Sequence, residues 1–302
     1  MSAFKQQLTE FTTSLGLPLL GVANPSRFDE LPAYAHPLSI MPECRSVIVV
    51  VDPLPRGGFR GIEEGTLWTY NGRRISFKLL NEIARYIEQN TGYEALAYEA
   101  TPATSAPRSK PVSNGKVVHN VELNLDWTAV AAGLGEIGMC GYLLTPQYGP
   151  RNALGIILTE LPLPADDVYS GRICDGENCR ACADVCPMRA IDISKAIIVS
   201  VAGRKTKLAK INFSLCATCP NGAMKDVNFK IGQEEMMPGF TGNQENLTET
   251  STALTRKSVP NILSAVCMRT CIAHLEDNGK LDITFKNKFR NEEPWTLQNW
   301  ER

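Results

Sequence analysis

The sequence has no excess of charge of either sign. Lys and Arg number 31 against 32 Asp and Glu, which gives a net charge of −1. A dedicated nucleic-acid-binding domain usually carries a basic excess, so this balance argues against that class of protein. Hydrophobic residues make up 43% and charged residues 21%, close to globular averages, which excludes a disordered or fibrous chain.

Long hydrophobic runs are also missing. The longest weakly apolar stretch, Thr128 to Leu144, is interrupted by glycines and by Glu136, so no bilayer-spanning helix is expected there. The first residues, MSAFKQQLTEF, have neither the basic n-region nor the apolar h-region of a signal peptide. We therefore expect a cytoplasmic protein without a membrane partner.

Helical and strand patterns alternate over the first 173 residues. Apolar residues at helical spacing predict three helices, over 4–15, 75–87 and 121–132. Apolar or β-branched runs predict three strands, near 47–51, 93–98 and 154–159. The expected fold class is α/β (α+β), with the order of the strands left open.

The chain is rich in cysteine, with ten residues, and their distribution is uneven. Only Cys44 and Cys140 precede residue 174, and the other eight lie between Cys174 and Cys271. In a chain without an export signal, cysteines are expected to be metal ligands rather than disulfides. This shift in composition, with the Pro/Asp-rich segment 161–171 as the boundary, predicts two domains, 1–165 and 166–302.

The cysteine spacing is the strongest signal in the sequence. The run CDGENCRACADVCP separates its four cysteines by four, two and three residues and ends in Pro187; CATCP and CMRTC supply four more. In two-cluster ferredoxins the cysteine before Pro ligates the other cluster. That logic predicts two [4Fe–4S] clusters, one on Cys174, Cys179, Cys182 and Cys271, the other on Cys186, Cys216, Cys219 and Cys267.

Two alternatives to the clusters stay open. Zinc also binds paired CxxC units, although a CxxCxxxCP run that feeds a second site is not typical of zinc. Unpaired or redox-active thiols are the other alternative. The first gap of four residues, where ferredoxins usually have two, and the interrupted second set with no terminal Pro both depart from the ferredoxin pattern.

The segment before the cysteine run carries a resemblance to known families. Residues 131–163, AAGLGEIGMCGYLLTPQYGPRNALGIILTELPL, contain an AGLG-x-x-G element, a YGPR turn and an apolar strand that ends in TELPL. This order of motifs, with RSVIVVVDPLP near residue 50 and YNGRRISFKLLNEIARYI near residue 80, resembles the epoxyqueuosine reductase and reductive dehalogenase families. The YGPR form is more similar to the dehalogenase branch, and the resemblance covers roughly residues 15–190.

The resemblance implies a nitroreductase-like domain that holds a corrinoid (cobalamin) against a ferredoxin-like two-cluster domain. In those families the clusters pass electrons singly to cobalt, which reduces a small organic substrate or a modified tRNA base. Flavin in place of the corrinoid is the alternative. The resemblance places cofactor binding at Arg73, Gly135, Leu143, Thr145, Tyr148, Gly149, Arg151 and Leu154. Glycines without a Cβ suit a close approach to a macrocycle, but they equally suit a helix end and a tight turn.

Two residues are predicted to deliver protons. His119 stands where epoxyqueuosine reductases carry a catalytic Asp, thirteen residues before the AGLG element, and an imidazole titrates near neutral pH. Tyr70, in WTYNGRR, can donate a phenolic proton while Arg73 or Arg74 holds an anion. For His119 the alternative is an ordinary surface or hydrogen-bonded histidine, and for the WTYNGRR segment it is a solvated basic turn.

Other residues with a possible functional role also have structural alternatives. Arg151 offers a planar fork for a carboxylate or a corrinoid amide, or else an ion pair. Cys140 and Cys44 are expected to be small buried hydrophobic residues. The basic segment GRKTKLAK, residues 203–210, can touch tRNA but is expected to be a solvated hairpin or loop.

The functional prediction is a corrinoid-dependent iron–sulfur reductase that carries out a two-electron reduction, of the epoxide-deoxygenation or dehalogenation type, on a small organic substrate. An external electron donor such as ferredoxin or flavodoxin is the expected partner, and nucleic acid is not. The alternative is an electron carrier or reductive activator without a substrate of its own. The length of the α/β portion favours the enzyme, and the absence of the family's Asp favours the carrier.

Overall fold

Two apolar, mainly aliphatic runs, residues 47–51 and 154–158, form the centre of the molecule. The computed structural model describes residues 3–31, 33–59, 75–98, 123–186, 189–212 and 266–289. The described strands are β1 (Leu19–Ala23), β2 (Ser46–Pro53), β3 (Ala95–Tyr98), β4 (Glu136–Ile137), β5 (Leu143–Leu144), β6 (Asn152–Thr159), β7 (Ile191–Val201) and β8 (Arg204–Ile211). The described helices are α1 (Ala3–Ser14), α2 (Phe77–Thr91), α3 (Leu125–Ala131), α4 (Ala181–Asp184) and α5 (Val266–Asp277).

The main sheet has four antiparallel strands in the order β1-β2-β6-β3. The two central strands pair in a register that sets Ile48 against Ile157 and Val50 against Gly155. Every residue of β6 is buried, as are the first six of β2. Strands covered on both faces need apolar residues at consecutive positions, which is what VIVVV and LGIIL supply.

Helices cover both faces of this sheet. Ile48 and Val50 of β2 pack with Leu8 of α1 and Ile83 of α2 in one core cluster. The alternate residues of β2, Val47, Val49 and Val51, belong to a second cluster with α3. Because successive side chains of a strand point to opposite faces, the molecule has three layers, helix, sheet and helix. The predicted mixed α/β class is confirmed.

The predicted elements are present with shifted ends. The third helix is shorter than the predicted 121–132 because the Asn124 side chain accepts from the backbone N–H of Trp127 and caps α3 there. The strand predicted from Tyr93 begins at Ala95. Helix α2 ends at Gly92, as its pattern predicts.

The connection between the sheet and the cysteine run is attached to the sheet along its length. Asp166 accepts from Lys5 Nζ at 2.6 Å and from the backbone N–H of Val22 at 2.8 Å. The Ser46 hydroxyl donates to the Leu161 carbonyl and accepts from the Leu163 N–H. The boundary predicted within 161–171 is therefore packed against β1 and β2.

In the residues described, the cysteine-rich portion contains a loop, two helices and a long hairpin. Helix α4 packs against α5, and β7 pairs with β8 through a two-residue turn at Ala202 and Gly203. The hairpin predicted for the basic segment 203–210 is thus observed. Buried residues of both predicted domains, from Leu8 to Met268 and Ile272, share one core cluster. Among the helices described, none has the length and apolar character needed to cross a membrane.

Candidate metal centre

The cysteine run folds into a loop whose sulfurs receive backbone hydrogen bonds. The N–H groups of Met139 and Gly176 both donate to Cys174 Sγ at 3.4 Å. The N–H of Ala190 donates to Cys186 Sγ at 3.3 Å. Cys182 lies on α4 and is 8% exposed. Backbone donors to sulfur stabilise a thiolate and tune the potential of a cluster, so these cysteines have the surroundings of metal ligands.

Helix α5 brings two distant cysteines to this loop. Cys267 and Cys271 are one helical turn apart and therefore share a face of α5. Burial raises the pKa of Cys271 well above the usual range, and the nearby thiols of Cys140, Cys174 and Cys179 raise it further. Cys271 and Cys174, which are 97 residues apart in the sequence, also pack against the same buried cluster.

Burial disfavours the thiolate form of two cysteines of the loop, Cys174 and Cys179. It raises the pKa of Cys174 and of Cys179, partly offset by backbone hydrogen bonds to their sulfurs. Metal ligation by a cysteine requires the thiolate, so binding here must release protons.

The described residues do not contain a completed site for one metal ion. In the described part of the chain, no three His, Cys, Asp or Glu side chains converge so that they could hold a single ion. Cys216 and Cys219 lie outside the described residues, so the second predicted ligand set stays a prediction. The donor chemistry nevertheless fits iron–sulfur ligation, because Cys174, Cys179 and Cys186 each accept a backbone N–H.

A buried carboxylate fixes the backbone of the cysteine loop. Glu136 Oε1 accepts from the N–H of Ile173 at 2.5 Å and from that of Cys174 at 2.7 Å. Its other oxygen accepts from Arg204 Nη2 at 2.6 Å, and Arg204 also donates to the carbonyls of Tyr169 and Gly171. Glu136 is only 5% exposed, and its charge is compensated by this network.

Sequence reasoning missed Glu136. Glu136 is the one acidic residue of the GLGEIG segment, whose other residues are glycine or apolar. A lone acid among buried residues requires a partner, and this was the available signal.

Cys140 is buried, as predicted, and it lies next to a candidate ligand. It is 3% exposed, and contact with Cys182 is the largest cause that raises its pKa well above the usual range. Cys44 is also buried; its thiol donates to the Ser46 carbonyl at 3.3 Å, and burial raises its pKa. Both match the prediction of small packed side chains.

Six of the predicted cofactor-binding residues lie in the YGPR turn or close to it along the chain: Leu143, Thr145, Tyr148, Gly149, Arg151 and Leu154. Leu143, Thr145 and Leu154 are each at most 1% exposed. Asn152, which sequence reasoning also missed, holds the turn together, since its amide donates to the Gly149 carbonyl at 2.6 Å and accepts from the Thr145 hydroxyl at 3.1 Å.

Gly135 has a local structural reason to be glycine. A Cβ at this position would overlap the carbonyl oxygen of Leu144, because β4 and β5 approach each other closely there. The close approach at this glycine is to protein backbone. Its predicted role in cofactor binding stays a prediction.

Arg151 is buried with part of its hydrogen-bonding capacity unused. It is 4% exposed, and its Nη1 donates to the Leu54 carbonyl at 2.9 Å. Its Nε and Nη2 have no hydrogen-bond partner in the described structure. The guanidinium lies 5.8 Å from the Tyr148 ring centre and 5.3 Å from that of Phe285, and burial lowers its pKa. Unsatisfied buried donors fit a ligand that supplies acceptor oxygens.

A groove of about 400 Å³ opens beside Cys174, between the cysteine loop and the hairpin. Glu136, Met139 and Arg172 line it from one side, and Arg204 to Lys207 from the other.

The remaining predicted residues are not described. Tyr70, Arg73, Arg74 and His119 lie outside the described residues, so proton delivery by Tyr70 or His119 stays a prediction.

The comparisons with known proteins agree with the family resemblance seen in the sequence. A tetrachloroethene reductive dehalogenase of Desulfitobacterium hafniense is 40% identical over 68 residues, 22% of this chain and 12% of that protein. An epoxyqueuosine reductase of Staphylococcus aureus is 24% identical over 218 residues, 62% of this chain and 52% of that protein. No protein-family model matches the chain.

One solved structure of an epoxyqueuosine reductase contains an epoxyqueuosine-modified tRNA-Tyr stem loop. It is 13% identical, with a TM-score of 0.44, and the match covers 92% of this chain and 83% of that one. The predicted absence of a nucleic-acid partner is not supported by the comparisons, because epoxyqueuosine reductases are among the relatives.

These findings confirm that the chain is related to epoxyqueuosine reductases and reductive dehalogenases. The relatives are named reductases, which is consistent with an oxidoreductase. The chain spans from about an eighth to about half of the length of these curated relatives.

Proposed function

We propose that the protein is an iron–sulfur reductase that delivers single electrons through two [4Fe–4S] clusters to a corrinoid, for a two-electron reduction of an organic substrate. The observation that carries this proposal is that Cys174 of the loop and Cys271 of α5 pack against the same buried cluster. A remote fourth ligand next to a tight cysteine loop is what the ferredoxin pattern requires.

The chain's own residues would hold the first cluster in a fixed position. Cys174, Cys179, Cys182 and Cys271 are the proposed ligands. A bound [4Fe–4S] cluster would supply reversible one-electron transfer. Glu136 would hold the backbone of Cys174 through its hydrogen bond to the N–H of that residue.

Arg151 is the residue best placed to orient a corrinoid amide or a substrate carboxylate. Its free Nε–H and Nη2–H would each donate to an acceptor oxygen, and its burial would strengthen these bonds by excluding water. His119 or Tyr70 would supply the proton that a C–H bond or a released water requires.

For the substrate, we propose a chemical class and not a particular compound. A small organic molecule and a modified tRNA base are both compatible with relatives named for either activity. An electron carrier without its own substrate is the second candidate, which the replacement of the family's Asp by His119 favours. A flavin-binding variant is the third.

Metal and cofactor content tests the proposal. Anaerobically purified protein is expected to contain about eight irons per chain, and denaturation is expected to release about one equivalent of corrinoid. Release of iron and sulfide alone would support the carrier, and a yellow fluorescent release would support flavin. About two zinc ions without iron would contradict the redox function.

A cysteine substitution tests the ligand grouping. Cys271→Ser is expected to remove about four irons per chain, because the first cluster loses its remote ligand. Cys44→Ser is the matched control, since Cys44 is buried away from the cysteine loop, and it should keep the full iron content. Unchanged electron paramagnetic resonance signals of both clusters in Cys271→Ser would show that the grouping is wrong.

A further inference from the structure

The groove beside Cys174 is an opening in the described surface that is lined by a proposed cluster ligand. Cys174 is half-buried and lines the groove, and its backbone N–H is held by Glu136 from beneath. Electron transfer between proteins requires the two redox centres to approach closely. A concave surface that ends at a ligand sulfur provides that approach.

The charge of the groove is opposite to that of the whole chain. Its lining has four basic side chains, Arg172, Arg204, Lys205 and Lys207, against two acidic ones. Both acids are paired, Glu136 with Arg204 at 2.6 Å and Glu177 with Lys207 at 2.7 Å. The lining is therefore net positive by two charges in a chain of net charge −1. Such a local field attracts an acidic surface.

Exposed apolar surface adjoins the two lysines. Ile198 is 72% exposed and pairs with Lys207, and Ser200 pairs with Lys205. Residues directly opposite in an antiparallel pair lie on one face, so Ile198 and the two lysines share a face of the hairpin. On a docking surface, this exposed aliphatic side chain would add apolar contact beside the basic residues.

We propose that this basic groove is the docking site for an acidic ferredoxin, the one-electron donor of the protein. The inference rests on the proposed function, since it requires a cluster on Cys174. In the transfer, the reduced cluster of the ferredoxin loses one electron and the oxidised cluster on this chain gains it. No bond forms or breaks and no proton moves.

Charge reversal on the hairpin tests the site with the full chain. The variants are Lys205→Glu and the double variant Lys205→Glu/Lys207→Glu, both at exposed positions. The measurement is the rate at which a reduced acidic ferredoxin bleaches the visible absorbance of the clusters, at low and high salt. Lys288→Glu is the matched control, because Lys288 is 89% exposed and does not line the groove.

The double variant is expected to slow reduction by ferredoxin about 10-fold at low salt, with a weaker dependence on salt than the wild type. Reduction by dithionite, a small molecule that needs no docking surface, should be unchanged in every variant. Ile198→Ser should slow the ferredoxin reaction without changing its salt dependence, because it removes apolar contact and no charge.

The outcomes separate the inference from the function on which it rests. Wild-type protein with no absorbance that dithionite bleaches has no cluster, and the proposed function itself fails. Clusters that ferredoxin reduces at the same rate in the wild type and the double variant overturn the docking site alone. Loss of tRNA binding in the double variant with ferredoxin reduction intact would assign the surface to nucleic acid and likewise overturn it.

Discussion

Glu136 connects three parts of the chain through one carboxylate. It lies in β4, accepts from the backbone before and at Cys174, and pairs with Arg204 at the start of β8. A buried carboxylate is costly to desolvate, and here two N–H donors and a guanidinium offset that cost. Its removal leaves both N–H groups without this acceptor and Arg204 without its carboxylate partner.

Replacement of Glu136 is predicted to destabilise the protein strongly. Glu136→Ala should lower the free energy of unfolding by about 3–5 kcal/mol, the range for breaking a buried charge pair. Glu136→Gln should cost less, because the amide oxygen still accepts a hydrogen bond. Denaturant unfolding of anaerobic protein measures both effects, and iron content shows whether the loop around Cys174 keeps its metal.

Glu43, an exposed acid, supplies the control. Glu43→Ala should change stability by no more than about 0.5 kcal/mol. A midpoint for Glu136→Ala equal to that of Glu43→Ala would show that the network contributes nothing.

At the residue scale, the sequence predicts composition-driven features well and long-range polar contacts poorly. Burial of Cys44 and Cys140 follows from small apolar character in apolar segments. The partners of Glu136 and Arg151 do not follow, because residues 204 and 54 are far along the chain and no local pattern indicates which backbone groups they meet. His119 and Tyr70 lie outside the described residues, so their roles in proton delivery stay predictions.

At the element scale, the β7–β8 hairpin has a demanding turn. Val201 pairs with Arg204, so the loop is only Ala202 and Gly203, with φ values of 52° and 76°. Two positive φ values in a two-residue loop are the signature of a type I′ turn, whose hand matches the twist of the strands. Glycine accepts this conformation and alanine tolerates it at a cost.

Gly203→Ala is predicted to lower the free energy of unfolding by about 1–2 kcal/mol, because an L side chain in the left-handed region is strained. The effect must come from the backbone, since an added Cβ meets nothing within 4 Å. Ala202→Asn, which suits the same region, should stabilise the protein. Denaturant midpoints of the two variants should therefore move in opposite directions, and equal shifts would contradict the turn assignment.

Hydrophobic patterning predicts elements because it depends on near neighbours along the chain. Helices α1 and α2 and strands β2 and β6 lie where their apolar periodicity indicates. The sheet order β1-β2-β6-β3 was not predictable in this way. Strands β2 and β6 are about 100 residues apart, and their pairing is set by tertiary packing on both faces.

At the scale of the whole molecule, Arg56 binds the N-terminal portion to the end of α5. Its guanidinium makes two hydrogen bonds to Glu276, at 3.0 and 2.7 Å, and lies 4.4 Å from the Phe285 ring centre. Both charged side chains are mostly buried, at 16% and 13% exposed. A bidentate pair with so little water around it is stronger than a surface ion pair.

A double-mutant cycle on Arg56 and Glu276 is predicted to give a coupling energy of about 1–3 kcal/mol. The control cycle is Lys195 and Asp192, an exposed pair at 3.2 Å, for which we expect about 0.5 kcal/mol or less. Unfolding free energies of the single and double alanine variants supply both values. Equal coupling in the two cycles would show that the buried pair does not join the two portions.

The connection from residue 161 to 167 has a mechanical consequence. Asp166 makes two hydrogen bonds to β1 and an ion pair with Lys5. Ser46, at the start of β2, makes hydrogen bonds to Leu161 and Leu163. A segment that makes this many hydrogen bonds to the sheet is not expected to act as a hinge. The cysteine loop that follows it is therefore held in a fixed position relative to the sheet, as the proposed electron transfer between the two portions would require.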